Sequence, residues 1–221
     1  MRELATRTAV GIILIGIALI EALLGGWPFA VLVAAVATIM YIEWSRMVGK
    51  WGFGWRLYGF FYCLLPAISL LWIRERAEYQ GIGSSFDLLI WVFLVVWSTD
   101  IGAFFAGRAI GGRKLAPSIS PNKTVAGLIG GVISATVLAG VWVNFVNWGN
   151  AVKLPSALYW LAPPFAVASQ LGDLFESGLK RRAGVKDSGT WLPGHGGLLD
   201  RLDGLVPVAV LTAALMILGA L

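Results

Sequence analysis

The chain gathers its acidic and basic side chains in a few places, and their spacing suggests chemistry. In SQLGDLFESGLKRR, Asp173, Glu176, Ser177 and Lys180 follow i, i+3, i+4, i+7 spacing. A helix there would present them on one face, as an acidic site with a basic edge. In LLDRLDG, Asp200 and Asp203 stand three apart and would share a face where the last apolar run begins. Asp173, Asp200 and Asp203, brought together from two helix ends, would make an oxygen-rich cluster suited to magnesium, a hard cation. The alternative is a salt-bridge network with the neighbouring lysines and arginines. Two glycine-rich segments add cations: GRAIGGRKLAPSISPNKT carries Arg108, Arg113, Lys114 and Lys123, and PGHGGLLDR carries Arg201 among Gly194, Gly196 and Gly197. Glycine lets backbone amides approach an anion and Lys or Arg neutralises it, so phosphate is the ligand such segments suit. Taken singly, basic loops also serve as topology determinants or lipid-headgroup contacts. Neither segment has the GxxxxGK[ST] pattern of a P-loop. His195, the only histidine, sits between glycines and could act as a general base, a phosphate hydrogen-bond donor or a turn residue. With no second histidine or cysteine nearby, zinc is not expected.

The elements that must position these groups are apolar. Of 221 residues 58% are hydrophobic and 13% charged, with a mean hydropathy of +0.79, against roughly 25% charged residues in soluble domains. This composition predicts an all-α, polytopic transmembrane helical bundle with charged cytoplasmic loops. Seven apolar stretches can be marked, at about 8–25, 27–46, 56–73, 86–107, 124–146, 156–176 and 203–220. The first has no convincing small-residue cleavage site and runs past GGWP into the second, so it reads as a span and not as a leader. With the amino terminus in the cytoplasm, all but Arg74, Arg76 and Lys153 of the 17 lysines and arginines fall in cytoplasmic segments. The positive-inside rule then places the carboxyl terminus outside and both glycine-rich loops inside. One domain, 1–221, is expected, with a three-span bundle over 1–85 and a four-span part over 86–221 carrying the charged motifs. The net charge of +5 reports this topology, and no soluble basic domain exists to bind nucleic acid. Cys63 lies in an apolar run as a packing residue and, as the single cysteine, excludes an intrachain disulfide. Asp100, within the fourth stretch, needs a partner, a water-filled cavity or a function. The small residues of GLIGG at 127–131 permit close helix packing, including in a homodimer.

The run SGLKRRAGVKDSGTWLPGHGGLLDRLDG, 177–204, resembles the signature of the phosphatidate cytidylyltransferase family, the CDP-diacylglycerol synthases. It is filled here by Ser177, Lys180, Arg181, Lys186, Asp187, Gly189, Pro193, His195, Gly196, Gly197, Asp200, Arg201 and Asp203. STDIGAFFAGRAIGG and SISPNKTVAGLIGG resemble two further segments of the family, and SQLGDLFES its acidic helix, so the likeness covers about 98–204. Ala126 stands where many relatives carry an acid, and the chain is shorter than many members, which suggests a pared-down amino-terminal bundle.

The resemblance implies an enzyme of the bacterial inner membrane, its active site facing the cytoplasm, that makes CDP-diacylglycerol and pyrophosphate from CTP and phosphatidate. It implies magnesium held by Asp173, Asp200 and Asp203, with a second cation such as K+ left open. By the same resemblance Ser120, Asn122, Lys123 and Thr124, with Ser177, Lys180, Arg181, Lys186, Asp187 and Arg201, face the phosphates. His195, Gly196 and Gly197 shape the loop, and Asp100 and Arg108 complete the polar cavity. The nearest rival is CTP chemistry on another lipid acceptor, an ether-lipid phosphate or a polyprenol. A transporter would place its acidic sites near the bilayer midplane, whereas here the charges lie at one rim. A lipid-binding scaffold leaves LPGHGGLLDRLD unexplained.

Overall fold

The computed structural model of the chain describes residues 2–77, 79, 82, 84–149, 153–191 and 196–221. It is mostly helical. In chain order the elements are α1 (Arg2–Leu24), α2 (Gly26–Met47), α3 (Phe53–Arg76), α4 (Ser85–Ile110), the strands β1 (Lys114–Ala116) and β2 (Ser120–Thr124), α5 (Val125–Gly149), α6 (Ala157–Ala183), the one-turn α7 (Leu199–Leu202) and α8 (Leu205–Ile217). Every apolar stretch marked in the sequence is a helix. Among the described residues α2, α3, α4 and α5 are long and apolar enough to cross a membrane, while the apolar parts of α1 (Gly11–Leu24) and α8 are shorter. Large apolar side chains such as Trp27, Phe145, Trp148 and Trp160 stand exposed on the outside. That is the surface of an integral membrane protein, where lipid and not water is the solvent.

Helix α4 is the centre of the bundle. Leu88, Leu89, Trp91, Val92 and Val95 are fully buried in a core completed by α1, α2, α3, α5, α6 and α8. Its partner α5 packs close because glycines line the seam. A Cβ on Gly130 would collide with that of Ala106, and one on Gly131 would lie 2.7 Å from the Thr99 carbonyl oxygen. The small-residue face of GLIGG is therefore spent inside the chain, against α4, and is not free for a second copy. Changing Gly130 to alanine is expected to lower stability by about 1–3 kcal/mol, since a tight seam must open. The same change at Gly16, which has no neighbour within 4 Å, should leave the thermal midpoint in detergent unchanged or slightly raised.

Two features depart from the expectation of an all-α fold in which 108–123 is a loop and the last span starts at 203. First, the basic segment after α4 folds into an antiparallel hairpin, with Lys114 opposite Thr124 and Ala116 opposite Ser120. Pro117 lies in the turn, which is closed by the Ile119 N–H donating to the Ala116 carbonyl at 3.1 Å. Pro121 is tolerated because each strand of a two-stranded sheet is an edge. Second, the last long helix begins at Leu205, so Asp200 lies in α7 and Asp203 caps it, rather than both lying on α8.

The connections alternate end to end. At one end Arg74 of α3 donates from Nε to the Ala22 carbonyl at 2.7 Å, joining the carboxyl ends of α1 and α3. At the other, Arg182 of α6 lies over the rings of Trp51 and Trp55, 4.8 and 5.2 Å from their centroids. This second end carries the charged motifs, over a smaller core of Met40, Trp44, Val48, Cys63, Leu179, Leu199 and Val206. Cys63 is buried there, as a packing residue should be.

Candidate active site

A cavity of about 750 Å3 lies where α4, the hairpin, the start of α5, α6 and α7 meet. Helix α4 supplies Asp100 and, two turns later, Arg108; β2 supplies Asn122, Lys123 and Thr124; α6 supplies Gln170 and Asp173; α7 and its cap supply Asp200, Arg201 and Asp203. Helix α6 stays regular through Ala183, so the i, i+3, i+4, i+7 face forms as its spacing requires. The Ser177 hydroxyl donates to Asp173 Oδ1 at 3.2 Å, and Lys180 Nζ sits 2.6 Å from Glu176 Oε2.

The charges fall into two chains of contacts. Along the cavity wall, Lys123 Nζ meets Asp173 Oδ2 at 2.6 Å and donates to Gln170 Oε1 at 2.9 Å. Gln170 Nε2 in turn donates to Asp100 Oδ1 at 3.2 Å. The hairpin cation and two carboxylates from different helices are thus linked through one amide. Behind the wall, Lys180 Nζ also donates to Asp200 Oδ1 at 2.6 Å. Asp200 accepts from the backbone N–H groups of Ser188, at 3.0 Å, and Gly197, at 2.9 Å, through Oδ2. Burial opposes its charge, but the Lys180 ammonium and these donors hold Asp200 below the usual carboxylate range, so it is ionised at neutral pH. Asp203, 9% exposed, accepts from the Gly204 amide at 2.8 Å.

Asp100, Arg108, Asn122, Lys123, Thr124, Asp173, Asp200, Arg201 and Asp203 therefore line one cavity. The other expected residues stand around it. Lys180 is withdrawn between Glu176 and Asp200, and Ser177 serves Asp173. Arg181 donates from Nε to the Ile119 carbonyl at 3.3 Å, tying the hairpin to α6. Ser120 pairs in the hairpin, and Lys186 and Asp187 are exposed. The Thr124 hydroxyl oxygen accepts from the Gly127 N–H at 3.0 Å, capping α5. Gly196 holds φ +84°, where a side chain would be strained, and Gly197 gives its amide to Asp200. His195 lies outside the described residues.

Two contributors were missed in the sequence. Gln170 precedes Asp173 by three and shares its face, a spacing that could have revealed it. Glu43 of α2 accepts from Ser188, Leu198 and Leu199, which lie 145 to 156 residues away, and no local pattern signals that.

A second cavity of about 140 Å3 adjoins the first. Side chains such as Phe29, Val33, Met40, Pro66, Phe93 and Val206 make it almost wholly apolar, and Arg201 lines both. One guanidinium thus stands where a charged chamber meets a greasy one.

A family model described as the cytidylyltransferase family matches residues 54–218. Among curated proteins, the phosphatidate cytidylyltransferase of Brucella suis biovar 1 (strain 1330) is 45% identical over 185 residues, 81% of this chain and 62% of that protein. The protein of that name from Haemophilus influenzae is 49% identical over 154 residues, 66% of this chain and 51% of the relative. That from Staphylococcus saprophyticus is 43% identical over 156 residues, 71% and 58%. The chain spans about three-fifths of the length of the Brucella relative it matches.

Proposed function

The chain belongs to the cytidylyltransferase family, and from that membership we propose that it transfers the cytidylyl group of CTP to phosphatidate, giving CDP-diacylglycerol and pyrophosphate. The observation that carries this reading is the paired cavity. A chamber rich in Lys, Arg and carboxylates suits a triphosphate, and the apolar chamber beside it suits the neighbouring part of a lipid. Arg201 stands at their junction, where a lipid phosphate would lie.

A phosphatidate oxygen attacks the α-phosphorus of CTP, a new P–O bond forms, and the bond to the β-phosphate oxygen breaks to release pyrophosphate. The attacking oxygen is already ionised at neutral pH, so the protein's work is positioning two anions and neutralising the charge that passes to the leaving group. Arg108 and Lys123 provide fixed cations on the triphosphate side, and Asn122 a neutral hydrogen-bonding group. Arg201 orients the lipid phosphate. The oxygen-rich wall fits magnesium in ligand chemistry, with Asp173 and Asp203 the residues that would hold it and Asp100 beside them. Asp200 could join them only by giving up part of its present partners, and among the described residues no three acidic, His or Cys side chains form a ready-made cage. When bound, magnesium would neutralise phosphate charge and polarise the leaving oxygens.

We place the site at the cytoplasmic face of a bacterial inner membrane, with seven spans formed by α1 to α6 and α8, the amino terminus inside and the carboxyl terminus outside. The basic residues concentrated at the cavity end support this orientation. Membrane lipids are the surroundings, and a homodimer would have to use a face other than the α4–α5 seam.

Purified protein in detergent should release pyrophosphate only when CTP, phosphatidate and magnesium are all present. Release without lipid would contradict the reaction. Release with an ether-lipid phosphate or a polyprenol in place of phosphatidate would reassign the acceptor.

A further inference from the structure

We propose that Glu43 is a positioning residue for the active-site loop: from α2, outside the residues the family model matches, it clamps both ends of the segment from Ser188 to Leu199 and so holds Asp200, Arg201 and Asp203 at the cavity wall. Glu43 is fully buried. Its Oε1 accepts from the Leu198 N–H at 3.0 Å, and its Oε2 accepts from the Leu199 N–H at 2.8 Å and the Ser188 hydroxyl at 3.1 Å. A carboxylate in such a place is tolerated only when donors fill it, and here the described residues of the loop supply three.

The loop is shaped to receive it. A Cβ on Gly189 would collide with the Glu43 carboxylate, and one on Gly197 would meet Ser188 Oγ and lie 2.7 Å from Glu43 Oε2. The two glycines let the backbone close around the side chain. Ser188 then carries the restraint onward, because its hydroxyl serves Glu43 while its N–H serves Asp200, at 3.0 Å. On the other side three successive amides are shared out, Gly197 to Asp200 and Leu198 and Leu199 to Glu43. Glu43 and Asp200 therefore grip the same two ends of the loop. Glu43 does not line the cavity, so it touches no substrate and acts through the residues it places. Its own helix is held by Trp44, fully buried, which donates from Nε1 to the Trp55 carbonyl at 2.8 Å.

Glu43→Ala removes all three acceptor contacts. Glu43→Gln keeps the shape but must turn its NH2 toward at least one backbone N–H. Ser188→Ala removes only the hydroxyl contact to Glu43 and leaves the backbone N–H on Asp200. Amide exchange of the segment 196–203 should accelerate about tenfold or more in Glu43→Ala, less in Glu43→Gln, and less again in Ser188→Ala, with the segment 125–149 unchanged in all three. The kcat for pyrophosphate release should fall about a hundredfold in Glu43→Ala, as misplacement of reacting groups would produce. It should fall less in Glu43→Gln, with the KM for CTP moving less than kcat in both. If Glu43→Ala does not fold, the glutamine and Ser188 variants decide the matter. Wild-type exchange at 197–199 in folded Glu43 variants, or faster exchange with unaltered kcat, overturns the proposal. The kinetic arm rests on the cytidylyl-transfer reading, and the exchange arm does not. A wild-type protein that releases no pyrophosphate with any lipid phosphate defeats that reading, whereas unaltered exchange defeats the clamp alone.

Discussion

Asparagine in place of Asp173 is expected to lower kcat by about a thousandfold or more in protein that remains folded. The two halves of this expectation come from different contacts. Asp173 is the carboxylate that meets the hairpin cation Lys123 at 2.6 Å, and it lies on the cavity wall with Asp100 and Asp203. Removing its charge takes the counter-ion from Lys123 and one oxygen anion from the set that would hold magnesium. The folded state loses little, because the Asp173 side chain is 29% exposed and Lys123 keeps its bond to Gln170. No buried charge is stranded. Two measurements separate the roles: the thermal midpoint in detergent should stay within a few degrees of wild type, and the magnesium concentration giving half-maximal rate should rise. Asp203→Asn should behave alike in rate. Full activity and an unaltered magnesium dependence in both variants would remove Asp173 and Asp203 from any metal site.

How far this site could be read beforehand depended on the range of the forces that form it. The helices followed from long apolar runs, whose length is set by the bilayer, and the face carrying Asp173, Ser177 and Lys180 followed from helical spacing. Both are local. The hairpin was not legible because its strands are short, with Pro117 in the turn between them and Pro121 within the second, a pattern that reads as a loop; only pairing of Lys114 with Thr124 makes them strands. The seam of Gly127, Gly130 and Gly131 was recognised as a packing face, but whether it meets another copy or another helix is a tertiary matter, settled here by Thr99, Ala103 and Ala106 of α4. Asp200 and Asp203 looked equivalent three residues apart. The structure separates them, since Asp200 is taken up by Lys180 and two loop amides while Asp203 accepts from the Gly204 amide beside it. Glu43 is the extreme case, a carboxylate near the end of an apolar helix whose partners lie in the signature loop.

The buried trio of Glu176, Lys180 and Asp200 gives the second large effect, and it falls on stability as well as rate. Lys180 sits 2.6 Å from both carboxylates, with side-chain exposures of 12% for the lysine, 0% for Glu176 and 7% for Asp200. Lys180→Met should destabilise the protein by about 3–5 kcal/mol, the usual result when one partner of a buried ion pair is removed and the other charge is left behind. Glu176 carries most of that penalty, because Asp200 still accepts from the amides of Ser188 and Gly197. The double variant Lys180→Met, Glu176→Gln removes the stranded charge and should regain most of the lost thermal midpoint. It should not regain activity. Asp200 would still lack the ammonium that fixes one of its oxygens, so α7, with Arg201 and Asp203, would remain loosely placed, and a small misplacement of reacting groups is enough to lower rates about a hundredfold. Recovery of both stability and turnover would mean that Lys180 only neutralises Glu176. Recovery of stability alone assigns the lysine to the geometry of the site, through Asp200 rather than through contact with phosphate.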